Sequence, residues 1–459
     1  MSANDAKLEK RIIDHLYETL YADLDPAAVS CCKRLIMDTT GVAFPGRSAP
    51  GVPEMVSVMA SWRSDRGASV LFEPFKIAPP MAAMVNSTMM HALDFDDTLD
   101  ASALHTFVTV LPAALSAAEA SGKPIDGQTL IAALVLGVDV ICRIGLGIRR
   151  PLSWIRTATC GSFGAAAAAA KILGLDRDRM SDALGIVYAQ TAGNAQGLLE
   201  GRLVKRMQPG FAASAGVTAA FLAASGITGS RAFLTGAYGY YPLYEQGDLD
   251  AAAVLEGIGK HFTITDLSIK PYPSCRMTHA AIDAALAVRD RIESITQLER
   301  IDVHVSSMAA EMVGKPFRIG ENPQVDAQFS IPYTVAVALL QGEVFLGDFE
   351  PEAIRRPDVN ALAAKVHVSE DPRLAPKDIL PARLRAVAGN GQSLEVRINA
   401  PLGNPARPVD DARCLQKFSQ CIQYSGMAFD EAKVRQFLNQ IENLETLEDV
   451  RPLVALLTL

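Results

Sequence analysis

A chain of 459 residues with 49% hydrophobic and 20% charged residues has the composition of an ordinary globular protein, which excludes a disordered or fibrous one. Its formal net charge of −8 excludes a broad nucleic-acid surface, because phosphate binding needs a concentrated cationic footprint. A small anionic ligand stays compatible, because a few lysines in one cleft reverse the local potential of an acidic protein.

The N-terminal segment and the most apolar stretch predict a chain without targeting or membrane segments. The sequence MSANDAKLEKRIIDHLYETL mixes charged and apolar residues at helical spacing, so we expect no signal peptide. Residues Leu130 to Ile148 have the length of a membrane span, but Asp139 and Arg143 lie inside and favour a buried core helix. Seven cysteines without zinc-ligand spacing indicate a reduced compartment. We therefore expect a cytoplasmic protein with no membrane or nucleic-acid partner.

Apolar residues recur three and four positions apart through most of residues 1–264. Ala-rich helices are predicted at residues 113–120, 129–145, 160–173 and 212–224. Small residues at Gly137, Gly161 and Gly164 would let these helices approach closely. This part of the chain therefore predicts an α-helical bundle.

The pattern changes between residues 265 and 405. Residues 298–306 and 393–399 alternate apolar and polar side chains and are rich in β-branched residues, which is typical of strands. Helical periodicity then returns, with Asp430 and Glu445 at predicted helix starts. We predict a mainly α protein with a large all-α helical bundle domain, formed by residues 1–264 and 406–459. A smaller α+β domain of residues 265–405 is inserted into it.

The sequence HALDFDDTLDASALH, residues 91–105, holds four carboxylates within seven residues. Such crowding predicts an altered pKa, a cationic partner or a capping role for at least one of them. Taken singly, Asp96, Asp97 and Asp100 are better explained as helix caps. The same three residues spell DDxxD, the magnesium motif of isoprenoid synthases, but no second acidic motif follows. A DxDxT phosphatase loop is disfavoured because the preceding residues predict a helix where that loop needs a strand.

Two downstream segments combine cations with prolines. VKRMQPGFAA places Lys205 before a Pro-Gly break and an Ala-rich helix, where a cation and helix amides would hold a carboxylate. KPYPSCRMTHAA holds Lys270, Cys275 and Arg276 near the domain junction, where ligand clefts tend to form. The two cations would stabilise a Cys275 thiolate.

Two aromatic side chains near predicted helix starts are interpreted as structural. Ser274 or Thr278 is predicted to cap the helix that begins near His279, and His279 itself is taken as a core residue. Tyr333 follows Pro332 in FSIPY, where a buried phenol needs a hydrogen-bond partner. The residue pattern alone favours a core position for Tyr333.

Taken together, these segments resemble the MmgE/PrpD family, which includes 2-methylcitrate dehydratase, cis-aconitate decarboxylase and iminodisuccinate epimerase. The resemblance covers nearly the whole chain. Its most specific markers are HALDFDDT, GSFGAAAAAAKILGL, VKRMQPGFAA, KPYPSCRMTHAAIDAA, FSIPY and IENLETLEDV. It implies a helical domain formed by both chain ends, a smaller α+β lid domain, a homodimer, and no metal or other cofactor.

The resemblance also implies the site residues. The family's active-site pattern carries over to Asp94, Thr98, His105, Lys205, Lys270 and Tyr333, with Cys275 where the dehydratase and decarboxylase members have a histidine. We therefore predict catalytic roles for His105, Cys275, Asp94 and Tyr333, and substrate-binding roles for Lys205, Lys270, Thr98 and Arg276.

Three departures from the family pattern affect the predicted pocket. At Cys275 the sequence is similar to iminodisuccinate epimerase. This cysteine therefore weighs against an assignment as a decarboxylase or a 2-methylcitrate dehydratase. His105 is followed by Thr-Phe where the family usually has Pro-Ser. Residues 153–156 read SWIR where the family commonly has a Trp-His-Pro run. The last two departures are expected to reshape the pocket.

Proton transfer next to a carboxylate explains why these residue types belong together. An α-proton has a very high pKa, so cations such as Lys205 and Lys270 must neutralise the carboxylate while a base such as His105 takes the proton. We predict a metal-independent, dehydratase-like lyase acting on a small di- or tricarboxylic acid. Alternatives are an epimerase of an iminodisuccinate-like dicarboxylate or a cis-aconitate-type decarboxylase. More distant alternatives are a magnesium-dependent isoprenoid synthase and a non-catalytic carboxylate-binding protein.

Overall fold

The computed structural model describes residues 6–150, 154–292 and 294–459, and it is 57% helical, which confirms the prediction of a mainly α protein. The described ranges contain 21 α-helices. These are α1 (Ala6–Glu18), α2 (Pro26–Gly46), α3 (Val52–Ala60), α4 (Pro79–His91), α5 (Phe107–Ala120), α6 (Gly127–Leu146), α7 (Arg156–Leu173), α8 (Arg177–Tyr188), α9 (Gln196–Leu199), α10 (Val204–Ala224), α11 (Tyr240–Tyr244), α12 (Ala251–Leu255), α13 (His279–Arg289), α14 (Ser307–Val313), α15 (Pro323–Gln328), α16 (Ile331–Gln341), α17 (Pro351–Ile354), α18 (Pro357–Ala363), α19 (Asp411–Ser425), α20 (Glu431–Glu442) and α21 (Arg451–Ala455).

The strands form one sheet of two strands and one of four. The strands are β1 (Arg63–Ser69), β2 (Lys76–Ile77), β3 (Leu298–Val305), β4 (Val366–Glu370), β5 (Ala382–Ala388) and β6 (Ser393–Ile398). The larger sheet has the order β4-β3-β5-β6, in which β4 runs parallel to β3 and the other pairs are antiparallel. The predicted strands at residues 298–306 and 393–399 are confirmed as β3 and β6.

A first hydrophobic core lies among the long helices of the N-terminal half. Helix α10 packs against α4 and α7, and α7 packs against α5 and α6. A Cβ atom added to Gly137 would lie 2.9 Å from the carbonyl oxygen of Gly164, and one on Gly164 would lie 2.7 Å from that of Gly137. The predicted role of these glycines in close helix packing is therefore confirmed. The C-terminal helices join this core, where Phe418 of α19 contacts Phe44 of α2.

A second hydrophobic core is formed by residues between Tyr272 and Ala386. It lies among α13, α16 and the four-stranded sheet, whose strand β3 alternates buried and exposed positions as the sequence pattern predicts. The division of the chain at residues 264 and 405, and the role of the inserted part as a lid, stay predictions.

Helix α6 is long and apolar enough to cross a membrane by length and composition. However, 89% of its most apolar window is buried inside the structure. The charges within α6 are paired, because Nε of Arg143 donates to Asp139 at 2.6 Å. The prediction of a buried core helix is confirmed.

Two predictions about helix ends are wrong. Helix α10 begins at Val204 and continues through Pro209, so the predicted Pro-Gly break is wrong; Gly210 instead lets α10 pack closely on the backbone of α4. Helix α13 begins at His279, but neither predicted residue caps it. The hydroxyl groups of Ser274 and Thr278 bond to each other, and that of Thr278 also donates to the Cys275 carbonyl.

The two predicted acidic helix starts near the C-terminus have different outcomes. Asp430 caps α20 by accepting the Ala432 amide at 2.7 Å, as predicted. Glu445 lies in a short 3-10 turn, Leu444–Thr446, so it does not start an α-helix.

Candidate active site

A cavity of about 700 Å³, counting space open to solvent, collects most of the predicted site residues. This size suits a small-molecule ligand. Its polar lining is formed by His91, Asp94, Thr98, Asp100, His105, Arg156, Thr157, Lys205, Lys270, Cys275 and Arg276. Seven of the eight predicted site residues are therefore brought together, and Tyr333 is not among them.

The loop between α4 and α5 supplies the acidic side chains of the cavity. Asp94 in this loop has a φ angle of 54°, in the left-handed region that few residues other than glycine adopt. A short antiparallel bridge joins Thr98 to Ser268, with amide-to-carbonyl distances of 2.9 and 2.8 Å. The bridge holds the segment that carries Lys270 against the acidic loop. Lys205 reaches the same place from the first turn of α10.

Asp94 is the centre of the charged cluster. Its carboxylate lies 3.2 Å from Nζ of Lys205, 3.4 Å from Nζ of Lys270 and 3.7 Å from Nε2 of His105. Lys270 also donates to the Asp94 backbone carbonyl at 2.8 Å. Burial by itself would raise the pKa of Asp94, but the two lysines hold it well below its usual range. Asp94 is therefore a carboxylate that keeps both ammonium groups at the cavity.

Asp96 connects two histidines. One of its oxygens lies 2.9 Å from Nδ1 of His91 and 2.8 Å from Nδ1 of His105. Burial would raise the pKa of Asp96, but the two histidines hold it well below its usual range, so it is an acceptor. The hydrogen bond of His91 assigns it the tautomer with its proton on Nδ1, and for His105 the same tautomer is assigned from the distance alone. The second nitrogen of His105, Nε2, lies 3.7 Å from the Asp94 carboxylate, and His105 lines the cavity.

His91 is buried and neutral. Burial lowers its pKa to about 4, although Asp96 opposes this shift. Its Nε2 lies 3.2 Å from Nζ of Lys205, which fits a neutral ring that accepts a hydrogen bond from the ammonium group. His91 thus holds Lys205 in place.

The remaining carboxylates of the acidic loop have structural partners. Asp97 caps α5 by accepting the backbone amides of Thr106 and Phe107, both at 3.1 Å, so the capping prediction is confirmed for it. Asp100 pairs with the guanidinium group of Arg276 at 3.1 Å. The three carboxylates of the DDxxD sequence thus have different partners. The loop also follows helix α4, whereas a DxDxT phosphatase loop would follow a strand.

The charge of Arg276 is largely neutralised within the cavity wall. Besides Asp100, its guanidinium group donates to the Leu402 carbonyl at 3.0 Å and to Oγ of Ser268 at 3.1 Å. Thr98 donates to the same Asp100 carboxylate at 2.9 Å. Arg276 and Thr98 line the cavity, and their substrate-binding roles stay predictions.

The predicted Cys275 thiolate is wrong. Burial and the negative charge of Asp94 raise the pKa of Cys275 to about 11, and the opposing effect of Lys270 is smaller. Arg276 is engaged with Asp100 and so contributes little to stabilising a thiolate. With this raised pKa, Cys275 is a protonated thiol at neutral pH, and it lines the cavity.

Tyr333 and His279 lie away from the cavity lining. The hydroxyl group of Tyr333 donates to the Asp348 carbonyl, and its ring contacts Phe317 and Phe349 in the second core. His279 is fully buried, with Nε2 3.2 Å from the Ser274 carbonyl, as the structural interpretation predicts. The location of Tyr333 matches the core interpretation of its sequence pattern and gives no support to a catalytic role.

Sequence reasoning missed three residues of the site. His91 is the last residue of α4, and Asp96 follows five residues later in the loop. This spacing was the only sign in the sequence that the two side chains would meet. Arg156 was signalled by the SWIR departure, of which Ser153 lies outside the described residues. The backbone amide of His105 donates to the hydroxyl group of Thr157, the residue after Arg156, at 3.0 Å, so this departure lies beside His105.

Within the described part of the chain, His91, Asp96 and His105 place three possible metal-ligand atoms within 4.8 Å of one another. Both histidines turn Nδ1 towards Asp96. A cation there would have to displace both Nδ1 protons and the hydrogen bond between His91 and Asp96. The donor set therefore suits an internal hydrogen-bond network better than a resident metal ion.

Comparison with known proteins identifies the family. The family model described as MmgE/PrpD N-terminal domain matches residues 10–251, and the model described as MmgE/PrpD C-terminal domain matches residues 272–446. A cis-aconitate decarboxylase of Aspergillus terreus is 28% identical over 95% of this chain and 92% of its own length. The cis-aconitate decarboxylase of Mus musculus is 28% identical over 93% and 88%, and a 2-methylcitrate dehydratase of Cupriavidus necator is 24% identical over 86% and 85%. The chain is an enzyme that belongs to the MmgE/PrpD family.

Proposed function

We propose that this enzyme is a metal-independent lyase that removes a proton next to a carboxylate of a small di- or tricarboxylic acid. The observation that carries the proposal is the convergence of Lys205, Lys270 and His105 on one cavity. Two cations beside a properly oriented base are what α-proton abstraction requires.

Substrate binding begins at the two lysines. Each ammonium group has three donor hydrogens, and Asp94 occupies only part of that capacity. A substrate carboxylate that accepts from both would be neutralised as the α-carbon loses its proton. Asp94 holds the two lysines close together in the free enzyme.

His105 is the proposed base. Asp96 holds the proton on Nδ1, so the lone pair of Nε2 is directed towards the cavity. The protonated ring that forms is stabilised by Asp96, in the same way that a carboxylate supports histidine in hydrolase triads. The C–H electron pair moves towards the carboxylate held by the lysines.

Cys275 is the proposed acid. In an elimination the carbon–oxygen bond to the leaving hydroxyl group breaks as the double bond forms, and the thiol proton of Cys275 leaves with that oxygen as water. The thiolate is then reprotonated from the His105 imidazolium or from solvent. The raised pKa of Cys275 keeps the proton available at neutral pH.

Decarboxylation is a second candidate. It is favoured by the similarity to enzymes named cis-aconitate decarboxylase over almost the whole chain. In that reaction carbon dioxide leaves and the same thiol would protonate the new carbanion. An epimerase would use His105 and Cys275 on opposite faces of one carbon, and this choice is left to experiment.

The remaining expectations complete the proposal. We infer that residues 265–405 act as a lid, because Met277, Met312 and Ile379 from this part line the cavity. We infer a cytoplasmic homodimer from the family resemblance and the seven free cysteines. The proposed partner is the small anionic substrate alone, with no nucleic acid or membrane.

The proposal is tested by incubating the enzyme in D₂O with citrate-, aconitate-, tartrate- and aspartate-like acids and recording ¹H NMR spectra. We expect at least one acid to exchange its α-proton and then to lose water or carbon dioxide. A His105→Gln variant should lack the exchange. Tight binding of an acid without any exchange would instead indicate a non-catalytic binding protein.

A further inference from the structure

Arg156 is a buried cation at the cavity that the proton-transfer scheme does not use. Arg156 is 8% exposed and is the first residue of α7, whose N-terminus has no side-chain cap. Its guanidinium group donates to the Ser102 carbonyl at 3.1 Å and to the Arg150 carbonyl at 2.7 Å. These contacts fix the group in place without neutralising its charge.

No described carboxylate forms an ion pair with Arg156. Glu245 interacts with Arg156 only through space: burial raises the pKa of Glu245 and the charge of Arg156 lowers it. Taking a cation out of water is unfavourable unless a partner compensates for it. An anionic ligand in the cavity is such a partner.

The charges of the cavity lining match a dianion. Its lysine, arginine and aspartate side chains comprise four cations and two carboxylates, which leaves two positive charges. Asp100 and Arg276 neutralise each other. One positive charge then remains at the lysine pair that shares Asp94, and the other positive charge remains at Arg156.

The lining also contains the histidines His91 and His105 and the uncharged polar residues Thr98, Thr157 and Cys275. Its remaining residues are apolar: Ala103, Ile155, Leu198, Met277, Met312, Phe329 and Ile379. Ile155 adds a hydrocarbon wall directly beside Arg156, in the segment where the family commonly has Trp-His-Pro. A third carboxylate would have no further uncompensated cation to meet on these walls.

We propose that Arg156 binds a second carboxylate of the substrate, and that the substrate of this enzyme is a dicarboxylic rather than a tricarboxylic acid. This inference rests on the proposed function, because it takes the lysine pair as the site of the reacting carboxylate. A guanidinium group can hold a carboxylate by two parallel hydrogen bonds, which also fixes the direction of the substrate in the cavity.

The test uses three unreactive probe acids: butyrate, succinate and tricarballylate, which carry one, two and three carboxylates. Binding to the full-length protein is measured by calorimetry. We expect succinate to bind about tenfold or more tightly than butyrate, and tricarballylate to bind no better than succinate. Arg156→Gln should lower succinate affinity to that of butyrate and leave butyrate binding unchanged.

Two further variants separate recognition from folding. Arg149→Gln is the matched control, because it removes one positive charge from an exposed pair with Asp250 and should preserve the preference for succinate. Arg156→Lys keeps the charge without the two-pronged geometry and should retain part of that preference. It also tests the inference if Arg156→Gln fails to fold.

The outcomes distinguish this inference from the proposed function. Equal binding of butyrate and succinate by the wild type would overturn the role of Arg156 and leave the lysine site intact. Tricarballylate binding more than about tenfold tighter than succinate would overturn the dicarboxylate assignment. Failure of all three acids to bind would contradict the proposed function itself.

Discussion

One Asp96 oxygen lies 2.8 Å from Nδ1 of His105, and the other ring nitrogen, Nε2, lies 3.7 Å from the Asp94 carboxylate at the cavity. With the proton held on Nδ1, Nε2 is free to accept one from a substrate. Asp96 itself is fully buried and does not line the cavity, so it acts through His105 and is a positioning residue.

Asp96→Asn is expected to lower kcat by about 100-fold or more, because an amide can donate to Nδ1 and favour the wrong tautomer. KM should change much less, since Asp96 does not contact substrate. The measurement is steady-state kinetics over a range of pH, with α-proton exchange in D₂O as a second readout. Exchange at the wild-type rate would contradict the assignment of His105 as the oriented base.

The adjacent Asp97 offers a matched control, because Asp97→Asn removes the same charge one residue away. Asp97 caps α5, so this variant should lose about 1 kcal/mol of unfolding free energy with little change in kcat. Thermal melting and kinetics together separate the two aspartates. An equal loss of kcat in both variants would show that only the integrity of the loop matters.

Lys205→Ala and Lys270→Ala are expected to raise KM at least about tenfold, since a charge-assisted hydrogen bond contributes roughly 1.5–3 kcal/mol. Lys10→Ala serves as the control, because Lys10 forms an exposed pair with Asp14 far from the cavity lining. Binding of succinate and thermal melting are measured for each variant. Wild-type kinetics in both cavity variants would mean that the substrate carboxylate binds elsewhere.

The predicted site residues came from two sources: residue chemistry pointed to Lys205, Lys270 and Cys275, and the family resemblance added Asp94, Thr98 and His105. Lys205 and Lys270 stand in segments with recognisable patterns, and the structure brings them to one carboxylate, Asp94. The state of Cys275 was mispredicted, because neighbouring cations in sequence indicate a thiolate whereas burial and Asp94 dominate in three dimensions.

The fold, too, could be predicted only where local sequence determines the structure. Helix α6 and strands β3 and β6 were predicted to within about two residues, since local spacing determines them, whereas α5 and α10 begin well before the predicted residues. The continuation of α10 through Pro209 was not predicted, because it depends on how closely Gly210 packs against Met84 of α4. The role of Asp96 likewise depends on a tertiary contact to His105 that no local pattern encodes.

Activity is expected to survive prolonged treatment with EDTA, because the lysines and the Asp96–His105 pair supply the charge stabilisation and the base. The cluster of His91, Asp96 and His105 makes this a sharp test, since it is the described group with metal-ligand spacing. The dialysed enzyme is assayed alone and with added Mg²⁺, Zn²⁺ or Fe²⁺. Complete loss of activity that one of these ions restores would contradict the metal-independent mechanism.

The last prediction concerns Cys275, whose pKa of about 11 makes it an acid over the neutral range. Cys275→Ala should lower turnover by about 100-fold or more, while α-proton exchange, which needs only His105, continues. Cys275→Ser should also be slow, because a hydroxyl group is a much weaker acid. Cys275→His restores the residue common in the family and should change the ratio of turnover to exchange.

The pH dependence of alkylation tests the protonation state of Cys275 directly. Iodoacetamide reacts with the thiolate, and the thiolate fraction increases about tenfold per pH unit below the pKa. Inactivation should therefore be slow at pH 7, accelerate up to about pH 10, and be prevented by substrate. Cys31→Ser removes the other partly exposed cysteine as a control. Rapid inactivation at pH 7 would show that Cys275 is a thiolate. Full activity of Cys275→Ser would show that the thiol only packs and takes no part in catalysis.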